Sequence, residues 1–193
     1  MNKVALLIGG NQGDRRALIK QATELIRQRI GSVVAVSSDY ETAPWGTFDE
    51  EAPQKFLNRA LLVETPLSAH EVLEEALLIE AILGRMRPSL STFNFQLSTR
   101  KYSSRPMDID LIFFNDEVID TPDLQIPHPR MHLRRFVLEP LAEIMPDYRH
   151  PVLGKTIMEL FQSLPEARQG VGFQAGVITP AVNEQSNGTP LAG

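Results

Sequence analysis

The sequence predicts an α+β sandwich, an antiparallel sheet with helices packed on it, and three observations carry that expectation. Strand-type and helix-type patterns follow one another in the order β-α-β-β-α-β up to residue 114. Both helical segments show an apolar stripe at helical spacing, opened by a capping residue and closed by a glycine. Finally, 193 residues with 42% hydrophobic content suffice to bury one sizeable core.

Residues 3–8 are an apolar, strand-like run, and Gly9-Gly10-Asn11-Gln12-Gly13-Asp14 turns it into a helix. Asp14 is the expected N-cap; Leu18, Ile19, Ala22, Leu25 and Ile26 form the stripe, and Gly31 stops the helix. A valine-rich second strand is expected over 32–40, a long loop with Pro44, Gly46 and Pro53 over 41–54, and a third strand over 56–64. Ser68 and Glu71 make a capping box for a helix reaching Leu83, with Gly84 ending it. A fourth strand over 107–114 follows a second long loop, and Asn115-Asp116 is expected to fold it back as a hairpin with Val118 and Ile119. The order is that of a ferredoxin-like βαββαβ sandwich, its sheet covered on one face by two helices. Short helices are expected over 136–144 and 157–161. One domain over 1–164 would then be followed by an extension over 165–193, poor in large apolar residues and expected to be mobile.

The net charge of −5 argues against general nucleic-acid binding, which needs a basic surface. From Arg85 to Arg135, however, eight Lys/Arg face six Asp/Glu, a local balance of +2 that suits a small anionic ligand held at one place. The absence of cysteine rules out thiolate metal sites and disulfides and fits a reducing, cytoplasmic location. The apolar N-terminal run is too short to span a membrane.

The chemistry concentrates in Arg105-Pro106-Met107-Asp108-Ile109-Asp110-Leu111. On a strand, Asp108 and Asp110 share a face at about 7 Å, with Ile112 and Phe114 continuing that face and Ile109, Leu111 and Phe113 lining the other. Two like charges so close, partly desolvated, raise each other's pKa or demand cations, and hard Mg²⁺ is the natural partner. Two solvated carboxylates at a strand start are the plain alternative. Arg85, Arg87 and Arg105 supply guanidinium groups of the kind that clamp phosphoryl charge. His128 and His132 are four apart, but Pro127 and Pro129 forbid the helix that would bring both to one metal; a phosphate contact suits His128 better. The glycine-rich turn at 9–14 lacks the Lys-Ser/Thr ending of a phosphate loop and reads as structural. Residues 88–104, lying between Arg87 and Arg105, are placed to serve as a lid.

Taken together, Arg105-Pro-Met-Asp108-Ile-Asp110-Leu111, Ile126-Pro-His128-Pro, Arg134-x-Phe136 and Pro140-Leu-x-Glu resemble the 6-hydroxymethyl-7,8-dihydropterin pyrophosphokinase family of folate biosynthesis. Gly9-Gly-Asn11, Thr42-Ala-Pro44-Trp45-Gly46, Phe56-Leu-Asn58 and Glu80-x-x-x-Gly84-Arg85-x-Arg87 recur in that family's order, so the resemblance spans about 4–151. It implies a modified ferredoxin-like fold and transfer of pyrophosphate from ATP to the pterin hydroxymethyl group, with AMP leaving. It further implies that Asp108 and Asp110 bind two Mg²⁺, and that Arg85, Arg105 and His128 contact phosphates. Arg134 and Leu111 then belong to the nucleotide site. Phe56 and Phe136 sandwich the pterin, Asn58 reads its edge, and Thr42 and Trp45 add backbone contacts. The implied partners are ATP and the pterin alone, with neither nucleic acid nor membrane, for a monomer. Paired aspartates on such a sheet also serve nucleotidyl transferases, while an RNA-binding sheet would need a Lys/Arg-Gly-Phe-x-Phe signature that is missing.

Overall fold

The computed structural model describes residues 1–43, 54–84 and 106–165. The loop residues Pro44, Trp45 and Gly46, the arginines Arg85, Arg87 and Arg105, the proposed lid over 88–104 and nearly all of the C-terminal extension lie outside the described residues.

β1 (Asn2–Gly10) leads to α1 (Arg15–Arg29), β2 (Ser32–Val36), β3 (Tyr40–Thr42), β4 (Phe56–Thr65), α2 (Ala69–Ile82) and β5 (Asp108–Phe114). β6 (Ile119–Asp120), β7 (Gln125–Ile126), α3 (Arg135–Ile144) and α4 (Ile157–Gln162) follow. Among the described residues the main sheet has the order β2-β4-β1-β5, antiparallel throughout, with β3 extending the edge beside β4. The expected α+β sandwich is present, and its capping chemistry is as read. Asp14 accepts the Ala17 N–H at 3.0 Å, and Ser68 and Glu71 close a full capping box.

Several expectations need correction. The strand expected over 32–40 is two strands, because Ser37 leaves the ladder. Its hydroxyl accepts the Ala60 N–H, and its own N–H reaches the Ala60 carbonyl. The loop expected from residue 41 begins later, since Glu41 and Thr42 pair with Leu57 and Phe56. Asn115 does turn the chain, at φ +47°, yet Ile119 and Asp120 pair with Ile126 and Gln125 rather than with β5. Gly31 is required by a close approach: a Cβ there would stand 2.2 Å from the Glu64 carbonyl oxygen.

The sheet is also covered on both faces, not one. α1 and α2 bury Ile19, Ile26, Val72 and Ile79 against Val4, Leu6, Ile8, Leu61 and Leu111. On the opposite face α3 and α4 bury Val137, Leu138, Leu141 and Leu160 against Ala5, Leu7, Ala60 and Phe113. The amphipathic pattern of 136–144 had no partner in a one-sided sandwich, and the second face supplies it. Glu143 fastens α3 to the sheet edge by accepting the Ser38 N–H (2.8 Å), the Ser38 hydroxyl (2.9 Å) and the Tyr40 hydroxyl (2.8 Å).

A bulge in β5 completes the arrangement. Leu6 pairs with Leu111 and Ala5 with Phe113, leaving Ile112 as an extra residue. Beyond it the alternation inverts: Phe113 shares the aspartate face, while Phe114 joins Ile109 and Leu111 on the other. The expectation that Phe114 continues the aspartate face and Phe113 opposes it is thereby overturned.

Candidate active site

Register alone assembles the candidate site. Gly9 in the central strand pairs with Asn58 on one side and Asp108 on the other, and Leu7 pairs with Ala60 and Asp110. Directly opposed residues project to the same face, so Asn58, Gly9 and Asp108 form a row across three strands. Asp110 belongs to the next row. Two strand spacings separate the ends of a row, roughly 9–10 Å. α3 and α4 cover the rows beyond, around Ala5 and Phe113, so the polar row lies at the margin of the second core.

Both aspartates are half-buried, as the paired-carboxylate reading requires. Ile109, between them, faces the first core, and its N–H donates to Glu80 Oε1 at 2.8 Å. Among the described residues no third His, Cys, Asp or Glu joins the two aspartates to make a closed metal cluster. Two carboxylates suit Mg²⁺, which keeps several waters and takes its remaining oxygens from phosphates. The donor set therefore fits the ion.

At the other end of the row, Asn58 is 5% exposed and donates through Nδ2 to Thr42 Oγ1 at 2.8 Å, bringing two expected pterin contacts together. That bond fixes the amide's orientation. Gly9 makes the arrangement possible: a Cβ on it would lie 2.3 Å from Asn58 Oδ1 and 3.0 Å from the Leu57 carbonyl oxygen. The turn reading of this glycine missed that role, because the need arises from β4 across the sheet. Phe56 lies two residues before Asn58 on the same strand face, paired with Thr42, and is half-buried.

The segment after β7 returns to β5. The His128 N–H donates to the carbonyl of the bulged Ile112 at 2.9 Å, so the bulge anchors the histidine beside the aspartate strand. His128 Nδ1 is buried without a hydrogen-bond partner among the described residues. His132 turns elsewhere and meets the edge of the His150 ring, centroids 6.4 Å apart. The Arg134 guanidinium stands 5.8 Å from the centroid of the Phe136 ring, which packs at the rim of the second core where α3 begins. Leu111 can take part through its backbone only, because its side chain is buried in the first core, on the face away from the aspartates.

Residues 5–146 match the family described as 7,8-dihydro-6-hydroxymethylpterin-pyrophosphokinase (HPPK). A protein of Methylorubrum extorquens named 2-amino-4-hydroxy-6-hydroxymethyldihydropteridine pyrophosphokinase is 37% identical over 165 residues, covering 85% of this chain and 94% of that protein. One of the same name from Bacillus subtilis is 41% identical over 146 residues, covering 75% of this chain and 79% of its own. The crystal structure of Plasmodium falciparum HPPK-DHPS with pteroate superposes with a TM-score of 0.64 at 18% identity. That match spans 83% of this chain but 42% of the larger one, and it bears on the fold alone.

Proposed function

Because the chain belongs to the 7,8-dihydro-6-hydroxymethylpterin-pyrophosphokinase family, we propose that the row Asn58-Gly9-Asp108, with Asp110 beside it, is where its reaction takes place. The enzyme transfers pyrophosphate from ATP to the hydroxymethyl group of 6-hydroxymethyl-7,8-dihydropterin, releasing AMP, in folate biosynthesis. The observation that carries the site assignment is the row itself. It places a fixed amide and a carboxylate pair on one face, separated by about the length of a pterin with its hydroxymethyl arm.

Asn58 offers donor and acceptor to the pterin edge from the Thr42 side, while Phe56 and Phe136 supply the aromatic faces that hold a flat ring. Trp45 adds a backbone contact. Asp108 and Asp110 hold two Mg²⁺ together with the ATP phosphates. Ions held there by Asp108 and Asp110 would supply charge neutralisation at the phosphates and make the β-phosphorus more electrophilic toward the pterin hydroxyl. His128, its Nδ1 already desolvated, donates to a phosphate oxygen, and Arg134 adds positive charge near the nucleotide. Arg85 and Arg105 clamp the transferring group, the second from three residues before Asp108 in the chain. Among the described residues β5 is an edge strand whose Ile109 N–H points outward, so the Leu111 peptide groups, two residues on, point outward as well and can read the adenine. A monomer working in the cytoplasm completes the reading, in keeping with a chain without cysteine.

Incubation with ATP, Mg²⁺ and hydroxymethyl-dihydropterin tests it. AMP should appear one-for-one with diphosphorylated pterin. Release of ADP would falsify pyrophosphoryl transfer, and release of pyrophosphate would point instead to a nucleotidyl transferase.

A further inference from the structure

Glu80 stands where both burial and the helix dipole disfavour a carboxylate. It lies in the last turn of α2, where the helix dipole disfavours negative charge, and that turn holds no basic residue. It is 1% exposed, on a helix whose neighbouring Val72, Ala76 and Ile79 belong to the apolar core. Burying a carboxylate in such a place is costly. Its Oε1 accepts the Ile109 N–H at 2.8 Å. Ile109 is the single residue between Asp108 and Asp110, and among the described residues β5 is an edge strand on which the ladder to β1 satisfies only alternate peptide groups.

We infer that Glu80 is a positioning residue for the metal-binding pair: its carboxylate pins the Asp108–Ile109 peptide, the first of the two peptide groups between the aspartates, and so helps to set their spacing and common orientation. β5 is then held on its open edge at two points, by Glu80 at Ile109 and by the His128 N–H at the bulged Ile112. The aspartate stretch lies between one clamp and the central strand. Without Glu80, the Ile109 N–H would be left buried and unsatisfied, and the edge strand would shift toward any other acceptor. Groups that orient metal ligands from behind typically change metal affinity or activity by roughly 10- to 100-fold when removed. The inference rests on the assignment of Asp108 and Asp110 as the metal ligands.

The test is titration of the full chain with Mn²⁺ in place of Mg²⁺, in the presence of a non-hydrolysable ATP analogue, followed by electron paramagnetic resonance, with thermal unfolding to verify the fold. E80A should bind Mn²⁺ roughly 10- to 100-fold more weakly. E80Q retains an acceptor at the same reach and should recover most of the affinity. E80D keeps the charge but withdraws the oxygen by one methylene, and should bind more weakly than E80Q. A purely electrostatic role would reverse the order of E80D and E80Q and overturn the inference. Wild-type affinity in E80A, with loss in D110A, would also overturn it while leaving the metal assignment standing. Wild-type affinity in D110A would remove the metal assignment and the inference together. Should E80A fail to fold, the comparison of E80D with E80Q decides alone.

Discussion

Replacing Gly9 by alanine tests whether the floor of the site must be bare backbone. The new methyl would stand 2.3 Å from Asn58 Oδ1, 3.0 Å from the Leu57 carbonyl oxygen and 3.3 Å from Asn58 Cγ. The amide has little freedom to retreat, because its Nδ2 is bonded to Thr42 Oγ1 at 2.8 Å. Overpacking of this kind costs about 1–3 kcal/mol, and loss of the Asn58–Thr42 bond adds about 1 kcal/mol. Against this, Gly→Ala stiffens the unfolded chain and returns about 0.4–1 kcal/mol. The net is a destabilisation of roughly 1–3 kcal/mol, which for a chain of this length lowers Tm by about 2–4 °C per kcal/mol. Denaturant unfolding should show that loss, and pterin affinity, followed by fluorescence, should fall with it because the rotated amide no longer presents its edge. The double variant Gly9→Ala/Asn58→Ala removes the obstructing group. Its stability should exceed the sum of the single effects by about 0.5–3 kcal/mol, while pterin affinity stays low. Wild-type stability and pterin affinity in Gly9→Ala, or strict additivity in the pair, would refute the close-approach argument.

Three further outcomes are expected. Asp110→Ala should keep its fold, as circular dichroism will show, yet lose about two to three orders of magnitude in kcat, because several kcal/mol of transition-state stabilisation depend on a metal ligand; near-normal turnover would count against the assignment. Burial, followed by repulsion from His132, holds the His150 imidazole below its ordinary pKa, and its Nδ1 accepts the N–H groups of Val152 and Leu153. The unfolded chain therefore takes up the proton more readily, so stability is full above about pH 6.5 and falls as acid is added below it. His150→Asn keeps an acceptor without titrating and should flatten that slope in thermal melts across pH 4–7. Burial, with Asp116 adding to it, pushes the Tyr148 hydroxyl up to about 12, and this hydroxyl donates to the Asn115 carbonyl at 2.7 Å. Its contribution is complete below about pH 10, the ordinary tyrosine value, and is lost as pH climbs toward 12; Tyr148→Phe should remove that part of the alkaline decline.

Much of the molecule was legible in the chain itself. The helix starts at Asp14 and Ser68 were readable because caps are local chemistry, and the Asp108–Asp110 pair because a strand's two-residue period places alternate side chains together. The motif around Phe56 and Asn58 was legible only as a resemblance to a family, with no local signal of its own. What the tertiary structure alone decided depends on pairings between distant segments. The bulge at Ile112 arises from register against β1, so no pattern within β5 announces that Phe113 and Phe114 exchange faces. Gly9 must lack a side chain because of Asn58, a neighbour only after β1 and β4 pair. Glu80 reaches the aspartate strand from a helix 29 positions earlier in the chain, and α3 covers a face that the βαββαβ order left open. Periodicity reports the faces of one element; which faces meet is settled by long-range packing, where each contact depends on the elements already in place.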